Sequence, residues 1–412
     1  MTEIFILEAN LRNNLGHFLN NTLGLKKAYE AAGFNVRVFT NQTCTQEVLE
    51  RVDGKPLFRD QSLANMSPQA VYHAATELCE DFCRIGTIPD NSIVMIPTAL
   101  QAHIFGLARF IKTENFPTSS KVILNFHWDN VSDNPEQAEL YKVAFSRLKS
   151  VLPESQIFIS AHTKGVAKAL NSVSQGLPVH VMPMPQYYGE DRPKPLEKPV
   201  TKPVMTVLGR SIKRKGSGKV LDLVNKLHGI HPQLRFRIQS TSVSRREKWK
   251  AFFRPRISLI LGGMPMDQYL ANLRQSDIFL LPYLPEEYRD RTSGVFAECA
   301  AVGGIAVVPK DTWLARQIEQ ENAVGVIYDP NVPNSIENAV IQAAEQIQDL
   351  KPKAINAADY WWQNVSACAY VTALNKFDFL NGHQAVIQTT LTPKTTNSVF
   401  TSAKPQVARV GC

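Results

Sequence analysis

Four short stretches carry residue types whose spacing could do chemistry. In the first, the apolar run VMTVL ends in Gly209-Arg210, and Lys215-Gly216 follow just before a helical pattern. A glycine at a strand end lets the backbone approach a ligand. Arg and Lys beside a helix N-terminus then make an anion site, assisted by free backbone N–H groups. The competing reading is a solvated basic turn, and in either case Lys215 is expected in a polar, exposed position. The nearby Gly216-Ser217-Gly218-Lys219 is not a P-loop. Val220 stands where Ser or Thr is required, and the leading glycine spacing fails.

The second stretch is YLPEEYRDRTSGVFAECAAVGGIAVV. Ser293 and Gly294 open a short apolar helix whose first N–H groups, around Val295, are free for a phosphate. Asp290 lies before the turn and Glu298 inside the helix, so they could bracket a ligand there. A carboxylate in an otherwise apolar helix is costly unless it has a partner. A salt bridge to a nearby Arg is the structural alternative for Glu298. The third stretch is KVILNFHWDN, where His127 stands at the end of an apolar strand, the ligand side of open α/β folds. A buried structural histidine would look the same. The fourth is the polar loop containing Gly16-His17, between the first strand and the first helix. It has no GxGxxG and no acidic residue at the end of the next strand, so it does not support a nicotinamide dinucleotide site.

The elements that must position these residues alternate short apolar runs with helical patterns, as in parallel α/β sheets. EIFILEA, NVRVF, SIVMIP, KVILNF, QIFIS and PVHVM read as strands of a first half. VMTVL, LRFRIQ, ISLIL, DIFLLPY, GGIAVVP and AVGVIYD read as strands of a second. Gly33 stops the first helix, and Ser67-Pro68 and Asn134-Pro135 open two others. The predicted organisation is an N-terminal Rossmann-like domain over 1–185, a Pro-rich linker over 186–203 and a second Rossmann-like domain over 204–354. One helix follows over 355–380, then a Thr-, Ser- and Lys-rich tail over 381–412, predicted to be disordered.

The 412 residues are 44% hydrophobic and 20% charged, an ordinary globular composition with room for two cores. No apolar stretch reaches the roughly 18–20 residues of a membrane span. The N-terminus lacks a basic region and a small-residue cleavage site, so no signal peptide is predicted. The six cysteines are scattered, which favours core thiols in a reducing cytosol over a metal site. The net charge of +8 suits nucleic acid, anionic lipid or a phosphorylated ligand equally well. The basic residues near 210–219 are not interleaved with aromatics, which argues against nucleic acid.

Taken together these stretches resemble the GT-B glycosyltransferases, in particular the retaining enzymes called group 1 or family 4. The resemblance is strongest over 204–330 and extends more weakly over 1–380. The family's Gly-Arg…Lys-Gly phosphate motif matches at Gly209, Arg210, Lys215 and Gly216. MPMDQYLANLRQSDIFLLPY looks like its helix-then-strand segment, ending in Asp277 and Pro282. SGVFAECAAVGGIAVVP looks like its glycine turn and glutamate helix, and YWWQNVSACAY like the C-terminal helix that crosses back to the N-domain. Two departures stand out. Asp290 occupies the place of the usual first glutamate, with Glu286 and Glu287 as alternatives, and Ser293 takes the place of the turn glycine.

The resemblance implies an α/β, GT-B fold: two Rossmann-like domains facing each other across a cleft, the N-terminal one for the acceptor. It implies transfer of a sugar from a nucleotide-sugar to an acceptor hydroxyl, with retention, without a metal and with no cofactor. Arg210 and Lys215 would hold the leaving diphosphate, helped by the N–H groups at Ser293, Gly294 and Val295. Glu298 would accept from the ribose, Asp290 and His127 would touch the transferred sugar, and Gly16 and His17 would lie on the acceptor side. The acceptor would be a sugar, a lipid-linked molecule or a small molecule. The site of action would be cytoplasmic, with weak peripheral contact at the inner face of the membrane. A degenerate member that binds a sugar nucleotide or glycan without catalysis is the alternative.

Overall fold

The computed structural model describes residues 2–14, 17–59, 66–114, 116–129, 131–132, 134–196, 198–209, 213–216, 220–240 and 254–380. Among the expected features, Gly16, Arg210 and the 381–412 tail lie outside the described residues. The first half contains strands β1 (Glu3–Glu8), β2 (Asn35–Asn41), β3 (Gly54–Phe58), β4 (Ile93–Ile96), β5 (Lys121–Phe126), β6 (Ile157–Ala161) and β7 (Val179–Val181). They form one parallel sheet in the order β3-β2-β1-β4-β5-β6-β7. The second half contains β8 (Val204–Val207), β9 (Arg235–Ser240), β10 (Ile257–Leu261), β11 (Ile278–Leu280), β12 (Ile305–Pro309) and β13 (Gly325–Tyr328). Its parallel sheet runs β10-β9-β8-β11-β12-β13. Each order reverses once beside its first strand, as in doubly wound folds. This is the two-sheet α/β architecture expected from the sequence.

The local signals act as their chemistry dictates. Ser67 caps helix Pro68–Cys83 and Asn134 caps helix Pro135–Lys149, each side chain accepting an N–H from the first turn. Gly33, with φ of +85°, turns the chain out of helix Phe18–Ala31. One strand was not legible. GKPLF, now β3, holds Lys and Pro in a run of five and lies at the sheet edge, where a missing N–H is tolerated.

Strand alternation divides the apolar residues between two faces. Phe5, Leu7, Val94 and Ile96 pack under one helical layer of the first half, and Met205, Phe236, Ile278 and Leu280 do the same in the second. Ile4, Ile6 and Met95 face the other way, into a core that continues through Met182, Met184 and Tyr188 to Phe279, Leu281 and Phe296. That core joins the two halves.

The single helix expected over 355–380 is two. Ile347–Asn364 stays with the second half, where Trp362 Nε1 donates to the Ala301 carbonyl at 2.9 Å. The chain breaks at Val365, and Ser366 caps Ala367–Lys376 by accepting the Ala369 N–H at 3.2 Å. This last helix crosses back to the first half, where the Tyr370 hydroxyl lies 3.0 Å from Ser160 Oγ on β6. Among the described residues no helix is long and apolar enough to cross a membrane. The described cysteines are free thiols.

Candidate functional site

In the second sheet the order reverses beside β8, so the carboxyl ends of β8 and β11 open a crevice. Gly209 follows β8 with φ of +98°, and its N–H donates to Gln239 Oε1 at 2.8 Å. The short turn Lys213–Lys215 then folds onto the end of β11. Leu284 N–H donates to the Arg214 carbonyl at 3.0 Å. Gly216, φ +64°, sits so close to Pro282 that a Cβ there would stand 1.9 Å from the Pro282 carbonyl oxygen. Only glycine permits this approach. The turn thereby delivers the Lys215 amine to Gly209, where a Cβ would lie 2.9 Å from Nζ and 3.3 Å from Val295 Cγ2.

The exposed position expected for Lys215 is therefore corrected. The residue is half-buried, its Nζ 5.4 Å from the centre of the Tyr283 ring. Burial holds its amine below the ordinary lysine value; Tyr288 and Glu298 oppose the shift, and Arg214 and Arg291 add to it. Among the described residues none of Lys215, Arg214 and Arg291 forms an ion pair with a carboxylate. Arg291 lies over the rings of Trp128 and Tyr288 at 5.0 and 5.8 Å. Cations concentrated without a directly paired carboxylate are the electrostatics of an anion site.

Ser293 caps helix Gly294–Ala301 by accepting the Phe296 N–H at 3.2 Å, and its hydroxyl donates to Tyr283 at 3.3 Å. Its first amides, Gly294 and Val295, precede any intrahelical partner. Glu298 projects from this helix and is 4% exposed. Among the described residues no arginine forms the salt bridge considered for it. Its carboxyl instead accepts from Asn20 and from Gln186, the latter at 2.7 Å, and from the Tyr269 hydroxyl. Burial pushes it up to about 7, while Tyr269, Asn20, Lys215 and Gln186 pull the other way. Asn20 comes from the first half and Gln186 from the stretch expected to be a linker. Neither was foreseen: a buried amide in FLNNTLG or next to a proline-rich run has no sequence signature of its own.

The first half faces this cluster with histidines. His17 lies 4.7 Å, ring centre to ring centre, from His127, which lies 4.9 Å from His162. His127 Nε2 donates to the Pro97 carbonyl at 2.9 Å. His162 Nδ1 faces the Met182 carbonyl, which leaves Nε2 to accept from Asn125 at 3.1 Å. Burial holds all three neutral: His17 falls to about 3, with Arg291, His162, Lys215 and Arg214 adding to the effect, and His162 falls to about 4. His17 Nε2 is buried without a hydrogen-bond partner. His17 and His127 thus meet, and His162 joins them from a segment with no recognisable motif.

Asp290 stands apart. Its carboxylate pairs with Arg316 at 3.0 Å, and its carbonyl accepts from Thr163 Oγ1 at 2.8 Å. A Cβ on Gly165, in the first turn of helix Lys164–Asn171, would meet Asp290 Cγ at 2.3 Å. The residue bridges the two halves, and none of its contacts among the described residues is with Lys215, His127 or Glu298. Glu286 and Glu287 are exposed on a four-residue helix. Gly209, Lys215, Ser293, Gly294, Val295 and Glu298 are brought together. His17 and His127 face them.

The fold has relatives among solved structures. A glycosyltransferase from Rickettsia africae ESF-5 superposes with a TM-score of 0.62 at 13% identity, covering 92% of this chain and 99% of that one. Anabaena Alr3699/HepE, crystallised with UDP-glucose, gives 0.60 at 14% identity, with 92% and 99% covered. The chain has the GT-B fold. The fold alone does not choose an activity. A Listeria monocytogenes protein assigned as a UDP-N-acetylglucosamine 2-epimerase also superposes, at 0.56 and 14% identity, covering 92% of this chain and 96% of that one. No protein-family model and no curated protein matches the sequence.

Proposed function

We propose that the protein is a glycosyltransferase that moves a sugar from a nucleotide-sugar to an acceptor hydroxyl, with retention and without a metal. The carrying observation is the Lys215 amine, desolvated and held at Gly209 beside the open turn of helix Gly294–Ala301. A departing diphosphate there would meet Lys215, Arg214 and Arg291, together with the Gly294 and Val295 amides. Preorganised cations and dipoles of this kind stabilise leaving-group charge, the largest demand of the reaction. The glycosidic C–O bond to the diphosphate breaks, and the acceptor oxygen bonds to the anomeric carbon from the same face. The acceptor's proton passes to the departing phosphate, so no protein nucleophile is required. The neutral histidines of the first half would border the sugar and acceptor. The structures of similar fold that hold UDP or UDP-glucose support a nucleotide-sugar as donor.

Purified protein incubated with a panel of nucleotide-sugars should release nucleoside diphosphate, and release should persist in excess EDTA. Activity lost in EDTA and restored by magnesium or manganese would overturn the metal-free reading. One observation favours a second reading, a binder without catalysis: the Asp290 carboxylate is already paired with Arg316. Donor binding without hydrolysis or transfer to any acceptor would select it.

A further inference from the structure

Three parts of the chain meet on one carboxylate. Asn20, in helix Phe18–Ala31, and Gln186, in the segment after β7, each donate an amide N–H to Glu298 Oε1, and the Tyr269 hydroxyl donates to Oε2. Asn20 is 3% exposed and Gln186 2%. The carbonyl oxygen of each amide, Asn20 Oδ1 and Gln186 Oε1, is buried and has no hydrogen-bond partner. Buried acceptors are normally satisfied, and two orphans on one cluster call for a missing donor. Gln186 Oε1 lies against the start of helix Gly294–Ala301, where a Cβ on Gly294 would stand 3.4 Å from it.

A carboxylate offers about four lone-pair sites, and three on Glu298 are used. The remaining site on Glu298 and the two amide oxygens are therefore unfilled acceptors, beside the second N–H that each amide nitrogen carries. A phosphate brings no donors to such a place. Adjacent hydroxyls on a sugar ring bring two, and each can also accept an N–H. We infer that Asn20 and Gln186 complete, with Glu298, a clamp for the vicinal diol of the donor's nucleoside, so that the first half and the connecting segment read the ribose directly. This rests on the nucleotide-sugar reading above. The orphan oxygens are closed off in this structure, so the ligand enters with the halves parted and the clamp forms as they meet.

The test is a calorimetric titration, in EDTA, of UDP, GDP, ADP and CDP and their 2′,3′-dideoxy counterparts. It is run on the full chain and on the shape-conserving variants Asn20→Leu and Gln186→Met. The wild type should prefer the ribonucleotide by about tenfold or more, because a ligand lacking the diol leaves the buried acceptors unpaired. Each variant should lose most of that preference by weakening the ribonucleotide, while dideoxy affinity stays within about twofold. Either variant suffices if the other fails to fold. Equal losses for both ligands, or a wild type that does not distinguish them, would overturn the clamp and leave the nucleotide-sugar reading standing. A wild type that binds none of the diphosphates would overturn both.

Discussion

Glu298 is placed to report on its own role. Burial raises its carboxyl from an ordinary 4.5 to about 7, so it gains its charge within the working pH range of most proteins. A carboxylate accepts hydroxyl hydrogens more strongly than a carboxylic acid does. Nucleoside diphosphate affinity should therefore tighten as pH rises from 6 to 8, and Glu298→Gln should flatten that profile. An unchanged profile in the variant would remove Glu298 from the site. The sign for stability is opposite. A carboxyl raised in the folded state stabilises fully below its unfolded value and loses that contribution as pH rises through about 7. Glu298→Gln should thus gain melting temperature over the wild type as pH rises above 4.5. Glu8, also raised to about 7, follows the same course in both proteins and cancels from the comparison.

At the scale of elements, the turn ending in Gly216 carries Lys215 into place. Gly216→Ala meets both a left-handed φ of +64° and the Pro282 carbonyl. It should cost at least about 3 kcal/mol in urea denaturation, from backbone strain and overpacking together. A loss below 1 kcal/mol would mean that the turn relaxes freely and does not fix the lysine. The histidines behave differently. His17 and His162 are depressed from 6.5 to about 3 and about 4, so their neutral forms stabilise above 6.5 and that contribution is lost as pH falls. Melting temperature should fall steeply between pH 6.5 and 4, and less steeply in a His17→Asn, His162→Gln double variant. Parallel curves would show that the cluster does not control acid stability.

The strands that form both sheets were legible because buried parallel strands are continuous apolar runs. β3 was not, since an edge strand tolerates Lys55 and Pro56. The path that brings Lys215 to Gly209 was legible from the glycines at 209 and 216, whose left-handed φ of +98° and +64° other residues rarely adopt. Gln186 and Asn20 were hidden because their roles depend on a partner 112 and 278 residues away. The exposure expected for Lys215 failed for a related reason. A lysine among RSIKRKG reads as solvated, and only the docking of the turn on Pro282 buries it.

At the scale of the whole molecule, the two halves share one core and a crossing helix, yet many contacts across the cleft are polar. Asn14 donates to the Met264 carbonyl at 2.8 Å, Arg51 pairs with Asp267 at 3.0 Å and Thr163 holds the Asp290 carbonyl at 2.8 Å. Polar interdomain contacts permit relative motion, which a nucleotide enclosed between the halves would require. The most direct test of the account is single-turnover transfer by Lys215→Ala with a donor that the wild type uses, measured beside its melting temperature. Removing a preorganised charge from the leaving group should slow transfer by about a hundred- to a thousandfold, some 3–4 kcal/mol. The melting temperature should hold or rise, because a desolvated cation has been deleted. Transfer within about threefold of wild type would contradict the central claim, and so would a slow variant that has lost its fold.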